Sequence, residues 1–223
     1  MFRRLLAVLV VLFGLGVLAP FPASGQNTNP QSPDRKTSTP YTGDLSIFDS
    51  PGREDRLQID RVMDILGIAK GKNVADIGAG SGWFTVRAAK RVTGSGTVYA
   101  VDINPKAIEY INRRAQREHA DNVRTILSSA DDPQLPANSI DAVLLLKTYH
   151  EISEPIALLK NLRRALRSGA KVGIIDRNGN GENHGVNRDV VIKEAAEAGY
   201  QLLAQYDFVK ADNMDYFLVL GLK

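Results

Sequence analysis

The residues most able to do chemistry in this 223-residue chain fall into three short runs. The first, Asp76-Ile77-Gly78-Ala79-Gly80-Ser81-Gly82, sets three glycines at alternating positions behind an acid. Glycine takes a left-handed backbone and carries no Cβ, so such a turn lets a ligand approach the main chain. A dinucleotide fingerprint has its third glycine one position later; here that position is Trp83, and an indole argues against a pyrophosphate. No Lys-Ser or Lys-Thr pair follows, which excludes a P-loop. The second signal is Asp102, twenty residues past Gly82, where a carboxylate can accept hydrogen bonds from both hydroxyls of a ribose. Ile103 beside it offers an apolar face to an adenine. Taken singly, the turn is as readily structural, and the acid as readily a cap for a helix opening at Pro105. In strand, loop, helix, strand order they point to a nucleotide.

The third run is Lys147-Thr148-Tyr149-His150-Glu151. His150 suits a general base near neutral pH and Tyr149 a substrate-orienting hydroxyl; the alternatives are that both line a pocket or pack on the next helix. His184 lies in the loop Gly179–Gly185, which either covers a substrate or is simply solvated. His119, His150 and His184 share no ligand spacing, so no metal site is expected. Trp83 reads as packing, or as a shield for one end of a ligand, before it reads as a cage for a cation. The basic face of Lys106, Arg113, Arg114 and Arg117, interleaved with Glu109 and Glu118, reads as solvated surface.

These runs need a frame that brings loop ends together. Ile59, Val62, Met63 and Leu66 follow helical spacing, so Arg56–Leu66 reads as an amphipathic helix lying against the domain as a lid. Then come a strand at Asn73–Ile77, a helix at Trp83–Val92, a strand at Thr97–Val101, a helix from Pro105 to His119 and a strand at Val123–Leu127. The second half repeats this: strand Ala142–Leu146, helix Glu154–Leu166, strand Val172–Ile175, helix Asp189–Ala198, then strands Gln201–Phe208 and Tyr216–Leu222 joined by polar Lys210–Asn213 as an antiparallel pair. Continuously apolar strands are covered on both faces. The fold class is therefore α/β, a doubly wound Rossmann-like sheet.

Val74-Ala75-Asp76-Ile77-Gly78-Ala79-Gly80-Ser81-Gly82, Tyr99-Ala100-Val101-Asp102, Leu135-Pro136 and the Asp141 that opens the next strand resemble the class I S-adenosylmethionine-dependent methyltransferases. The small-molecule group akin to ubiquinone and menaquinone biosynthesis methyltransferases (methyltransferase type 11-like) is the nearest in pattern, over about Phe48–Lys223. The resemblance implies a seven-stranded, mostly parallel sheet with an antiparallel last strand. It implies that Asp76 sits near the methionine ammonium of S-adenosyl-L-methionine, that Gly78, Ala79, Gly80 and Gly82 give backbone access, and that Asp102 holds the ribose with Ile103 beside it. Lys147 completes the set on the cofactor. Where the family has Gly-Asp-Ala at the adenine edge this chain has Ser128-Ser129-Ala130-Asp131, so Ser129 or Asp131 would meet the adenine amine. Ser168-Gly169-Ala170 stands for the usual Pro-Gly-Gly and keeps its turn.

Composition narrows the rest. With 43% hydrophobic and 24% charged residues the chain can bury one ordinary core. Formal charge is +3, and 26 basic against 25 acidic residues remain once Arg3 and Arg4 are set aside, so no nucleic-acid partner is expected. Zero cysteines exclude disulfides, thiolate zinc sites and a cysteine nucleophile. Basic Met1–Arg4, apolar Leu5–Ala19 and small Ala23-Ser24-Gly25 make residues 1–25 a signal peptide or, failing cleavage, an anchor; either exports the domain as a periplasmic or secreted protein. Polar, proline-bearing residues 26–45 read as a disordered linker, leaving 46–223 as the methyltransferase domain. The expected function is methylation of a small molecule. A sensor module that keeps the nucleotide pocket without turnover is the rival, raised by the conflict between export and a cytosolic cofactor. A dehydrogenase is weakened by Trp83.

Overall fold

Apolar runs buried on both faces dictate a central sheet. In the computed structural model, which describes residues 36–223, the strands are β1 (Val74–Ile77), β2 (Val98–Asp102), β3 (Val123–Leu127), β4 (Ile140–Leu146), β5 (Leu166–Asp176), β6 (Tyr200–Tyr206) and β7 (Tyr216–Leu222). They form one sheet in the order β3-β2-β1-β4-β5-β7-β6. β1 to β5 pair in parallel, and β7 runs against both β5 and β6. This is the doubly wound sheet with an antiparallel last strand. The leader at 1–25 and the first half of the linker, residues 26–35, fall outside the described residues.

Six helices cover the sheet: α1 (Arg53–Leu57), α2 (Ile59–Leu66), α3 (Trp83–Val92), α4 (Pro105–Arg117), α5 (Pro155–Leu162) and α6 (Arg188–Glu197). Successive strand residues serve opposite layers, because side chains alternate across a strand. Val74 and Leu144 pack with α2 and α3, while Ala75 and Leu145 pack with α5 and α6. Asn104 and Asn187 cap α4 and α6 by accepting the amide hydrogen bonds of Lys106 and Asp189. The strand order reverses at β1, which pairs with β2 on one side and β4 on the other, so a crevice opens beyond its carboxyl end.

Three expectations change. The helix read at Arg56–Leu66 is broken at Gln58, whose φ is +50°, and it is no lid: Ile59, Val62, Met63 and Leu66 are buried in the core. Complete burial of that face leaves nothing for it to open from. The helix read at Glu154–Leu166 ends at Leu162 in a 3-10 turn, and Leu166 already starts β5, whose register shifts against β4 between Ile140 and Ala142. Arg114 is not solvated surface. It is buried, and its guanidinium bonds Asp49 at 2.7 Å and the Ser81 carbonyl at 3.1 Å, tying the chain before α1 to the first glycine turn.

The end of the polar segment also has structure of its own. Ser38 is buried, its amide donates to the His150 carbonyl at 3.1 Å and its hydroxyl to the Gly181 carbonyl at 2.7 Å. Tyr41 and Phe48 meet edge to face with centroids 5.5 Å apart. Residues 36–48 therefore lie over the carboxyl edge of the sheet as a strap.

Because α2 belongs to the core, Leu66→Ala should lower the unfolding free energy by about 2–5 kcal/mol in urea titrations. A surface lid would cost under about 0.5 kcal/mol.

Candidate active site

The crevice at the β1 switch point is a cleft of ≈ 820 Å³ with the glycine turn, the end of β2, the end of β4 and the strap as its walls. Gly78 has φ +71°, and a Cβ there would collide with the Thr148 side chain. Bare backbone at this position is thus demanded by the chain's own packing as well as by its left-handed turn. Gly78, Ala79 and Gly80 line the cleft; Gly82 does not. Gly82 instead caps α3 at φ +71°, with Ile111 3.2 Å from where its Cβ would be. The expectation of ligand access at Gly82 is corrected to a packing role.

Asp102 closes β2 and lines the cleft. One carboxylate oxygen accepts the Gly80 amide at 2.9 Å and the other the Asn104 amide at 2.9 Å. Burial raises its carboxyl, and these two amides pull it back down. A carboxylate has about four lone-pair sites, so two remain for a ligand. Ile103 is 47% exposed on the same wall, an apolar surface held open to the cleft. Ser129 and Ala130 reach the wall, whereas Asp131 is exposed and off it, its carboxylate accepting the Ser129 hydroxyl at 2.8 Å. Of the two adenine-edge candidates the structure brings Ser129 to the cleft.

Asp76 is buried, and its carboxylate accepts the Thr85 hydroxyl at 2.6 Å. Burial pushes its carboxyl up to about 7 against the pull of Thr85, and the negative charge of Asp102 adds to the rise. Two cations share this end. Lys147 stands at φ +56°, a strained backbone for a side chain with a Cβ, and burial, then the charges of Arg53 and Arg177, lower its ammonium. Arg53, which the sequence patterns missed, is buried on the cleft wall, bonded to Asp212 at 3.2 Å and to the Phe48 carbonyl at 3.0 Å. Its guanidinium carbon lies 4.8 Å from the Trp83 ring centroid, and that of Arg87 lies 4.0 Å away. Trp83 is thus buried under two arginines while its side chain also lines the cleft.

Beyond β4 consecutive residues part company. Tyr149 is fully buried away from the cleft and its hydroxyl donates to Glu194 at 2.8 Å. Its expected substrate-orienting role is corrected to packing against α6. His150 turns the other way, onto the cleft wall, though only 1% exposed. Its Nδ1 lies 2.9 Å from both oxygens of Asp176, the last residue of β5, whose carboxylate also accepts the His150 and Arg177 amides. A carboxylate only accepts, so Nδ1 carries a proton, and in the neutral ring Nε2 then holds the lone pair. Among the described residues Nε2 has no hydrogen-bond partner. Glu151 Oε1 lies 3.8 Å from it, and burial holds the Glu151 carboxyl up at about 7, with His150 pulling the other way. His184 joins this group, its Nδ1 3.9 Å from Glu151 and its ring 5.5 Å from that of His150. His119 stands apart, near the ends where β2 and β3 begin.

Asp176 was the functional residue most readable and yet missed: like Asp102, it is an acid closing an apolar strand at the carboxyl edge. Arg53, Glu151 and the strap gave no comparable signal, because they reach the cleft through tertiary packing.

Residues 74–169 match the family model described as a methyltransferase domain. The chain is 32% identical over 128 residues to the aklanonic acid methyltransferase DauC of Streptomyces sp. (strain C5), covering 57% of this chain and 54% of that protein. It is 27% identical over 116 residues to the ubiquinone/menaquinone biosynthesis C-methyltransferase UbiE of Hahella chejuensis, covering 51% and 46%. The chain spans about half the length of the curated relatives it matches. A solved structure of a SAM dependent methyltransferase from Aquifex aeolicus superposes with TM-score 0.74 at 23% identity, over 82% of this chain and all of that one, which shows the shared fold.

The raised carboxyl of Asp76 ties stability to pH. From about pH 4, where an unfolded aspartate ionises, to about 7, the folded chain keeps a proton that the unfolded chain has lost, so Asp76 makes stability fall as pH rises; above 7 the slope ends. Urea unfolding at several pH values should show the wild type losing up to about 4 kcal/mol across this window relative to Asp76→Asn. Parallel curves for the two proteins would contradict the shift.

Proposed function

We propose that this chain, which carries a class I S-adenosylmethionine-dependent methyltransferase domain, transfers the methyl group of S-adenosylmethionine to a small molecule held at the His150 end of the cleft. The observation that carries this reading is Asp102, whose carboxylate is fixed by the amides of Gly80 and Asn104 at the switch point with acceptor capacity to spare. A diol meeting those two remaining sites is a ribose, and the exposed Ile103 next to it takes an adenine face. Ser129 supplies a hydroxyl at the adenine edge.

The opposite end suits an amino-acid zwitterion: Asp76 for the ammonium, Arg53 and Lys147 for the carboxylate. Nucleoside and zwitterion sites in one cleft fit S-adenosylmethionine and do not fit a dinucleotide, whose second nucleoside would meet charged groups. When bound, it supplies an electrophilic methyl on a sulfonium, which an acceptor lone pair takes in line while the carbon–sulfur electron pair returns to sulfur. The chain's part is positioning and exclusion of water. Gly78 to Gly80 set the floor, the strap covers the top, and His150 with Glu151 offers lone pairs to the acceptor. The relatives' names, an aklanonic acid methyltransferase and a ubiquinone/menaquinone biosynthesis C-methyltransferase, support a small molecule here as well.

Calorimetry should show binding of S-adenosylmethionine, weakened about 10- to 100-fold in Asp102→Ala, the loss of hydrogen bonds to a charged group. Incubation with methyl-labelled S-adenosylmethionine and cell extract should put label in the small-molecule fraction. Binding of NAD without response to S-adenosylmethionine would overturn the reading. Binding without label transfer would replace it with a sensor module.

A further inference from the structure

We infer that His150, Glu151 and His184 form a binding site for a divalent transition-metal ion at the acceptor end of the cleft. Each residue offers one ligand atom, and the three atoms lie within 4.8 Å of one another. The second, independent observation is His150 Nε2: buried, without a hydrogen-bond partner among the described residues, and directed at Glu151 3.8 Å away. An unmet buried acceptor costs about 1–3 kcal/mol and demands a reason. A cation on its lone pair supplies one.

The surroundings are those of a ligand rather than of a stray histidine. Asp176, fully buried, accepts the Nδ1–H hydrogen bond at 2.9 Å and so fixes the ring orientation with Nε2 outward. Metal-bound histidines characteristically give their other ring N–H to a carboxylate in this way. Glu151 is brought close by the 3-10 turn Tyr149–Glu151. His184 is delivered by a loop built for the purpose: its φ is +50°, its amide donates to the Ser38 hydroxyl at 3.0 Å, and Gly181 bonds Gly185 across the loop at 2.8 Å. Its side chain is 56% exposed and so free to rotate the short distance that coordination, with donors about 3.3 Å apart, requires.

Two imidazoles and one carboxylate without a thiolate select zinc, iron(II), cobalt or nickel over magnesium or calcium, which prefer oxygen alone. Three protein ligands leave exchangeable positions facing the cleft. An acceptor that presents a hydroxyl, enol or phenol oxygen to those positions would lose its proton more readily, and the oxygen would then receive the methyl. This consequence for substrate class rests on the methyltransferase reading; the metal site itself does not.

The test uses the full chain, free of any histidine tag, stripped with chelator and titrated with Zn²⁺ by calorimetry and with Co²⁺ by visible absorption. One ion per chain should bind at micromolar concentration or below, with cobalt bands shifted from those of the aqueous ion. His184→Ala, on an exposed side chain, and Glu151→Gln should each weaken binding at least tenfold, Asp176→Asn about 10- to 100-fold, and His119→Ala should leave it unchanged. Asp102→Ala should weaken S-adenosylmethionine binding but keep the ion, so the cofactor reading and the metal reading fail separately. Absence of stoichiometric binding, or binding indifferent to His184→Ala and Glu151→Gln, overturns the proposal.

Discussion

Buried carboxylates at the carboxyl edge of the sheet are what the cleft depends on. Asp76 near the end of β1, Asp102 ending β2 and Asp176 ending β5 each bring an acid to the rim, Asp76 and Asp176 out of water and Asp102 half-buried. A buried charge must be met by hydrogen bonds or by protonation, and each of the three meets that demand differently. Asp76 takes one hydroxyl and is pushed toward its neutral form. Asp102 takes two backbone amides, which makes it the clasp of the glycine turn as well as a ligand group. Asp176 takes a ring N–H and two amides, fixing the histidine beside it.

The strap is the second constraint. Arg114 pulls Asp49 and the glycine turn together from α4, and Ser38 connects the His150 carbonyl to the loop that carries His184. The segment ahead of α1 thus contacts both ends of the cleft, and removing it would uncover the nucleoside side and loosen the histidine loop together. Its polar composition, which reads as linker, reflects its role as a hydrogen-bonding cover with few apolar anchors, Leu45 and Phe48 among them.

The frame was legible because its signals are local. Strand β3 at Val123–Leu127, helix α3 at Trp83–Val92 and strand β7 at Tyr216–Leu222 occur where β-branched runs, the glycine turn and the polar joint put them. Asp102 and Ile103 were legible because a strand end has a fixed place in a doubly wound sheet. Less was legible where tertiary contact decides. Arg114 sits in a helix whose neighbours are solvated, and nothing in its spacing tells that its partner is Asp49, 65 residues away. The apolar stripe of α2 is identical for a lid and for a core helix, and only the depth of the groove that receives it separates the two.

Tyr149 and His150 show the limit most sharply, since they are adjacent and share one sequence signal. Lys147 at φ +56° turns the chain as it leaves β4, and the 3-10 turn that follows places neighbouring side chains on different sides of the loop. Tyr149 falls toward α6, where Glu194 meets its hydroxyl; His150 falls toward β5, where Asp176 waits. Which of two polar residues faces the cleft is therefore settled by which buried acid each can reach. A hydroxyl that finds a partner in the core is spent on packing. A ring that is bonded on one nitrogen still has another, and the geometry of the sheet edge turns that second nitrogen to the cleft. The imidazole's two distinct nitrogens let one residue be structural and reactive at once, which a tyrosine with a single oxygen, buried at this position, cannot be.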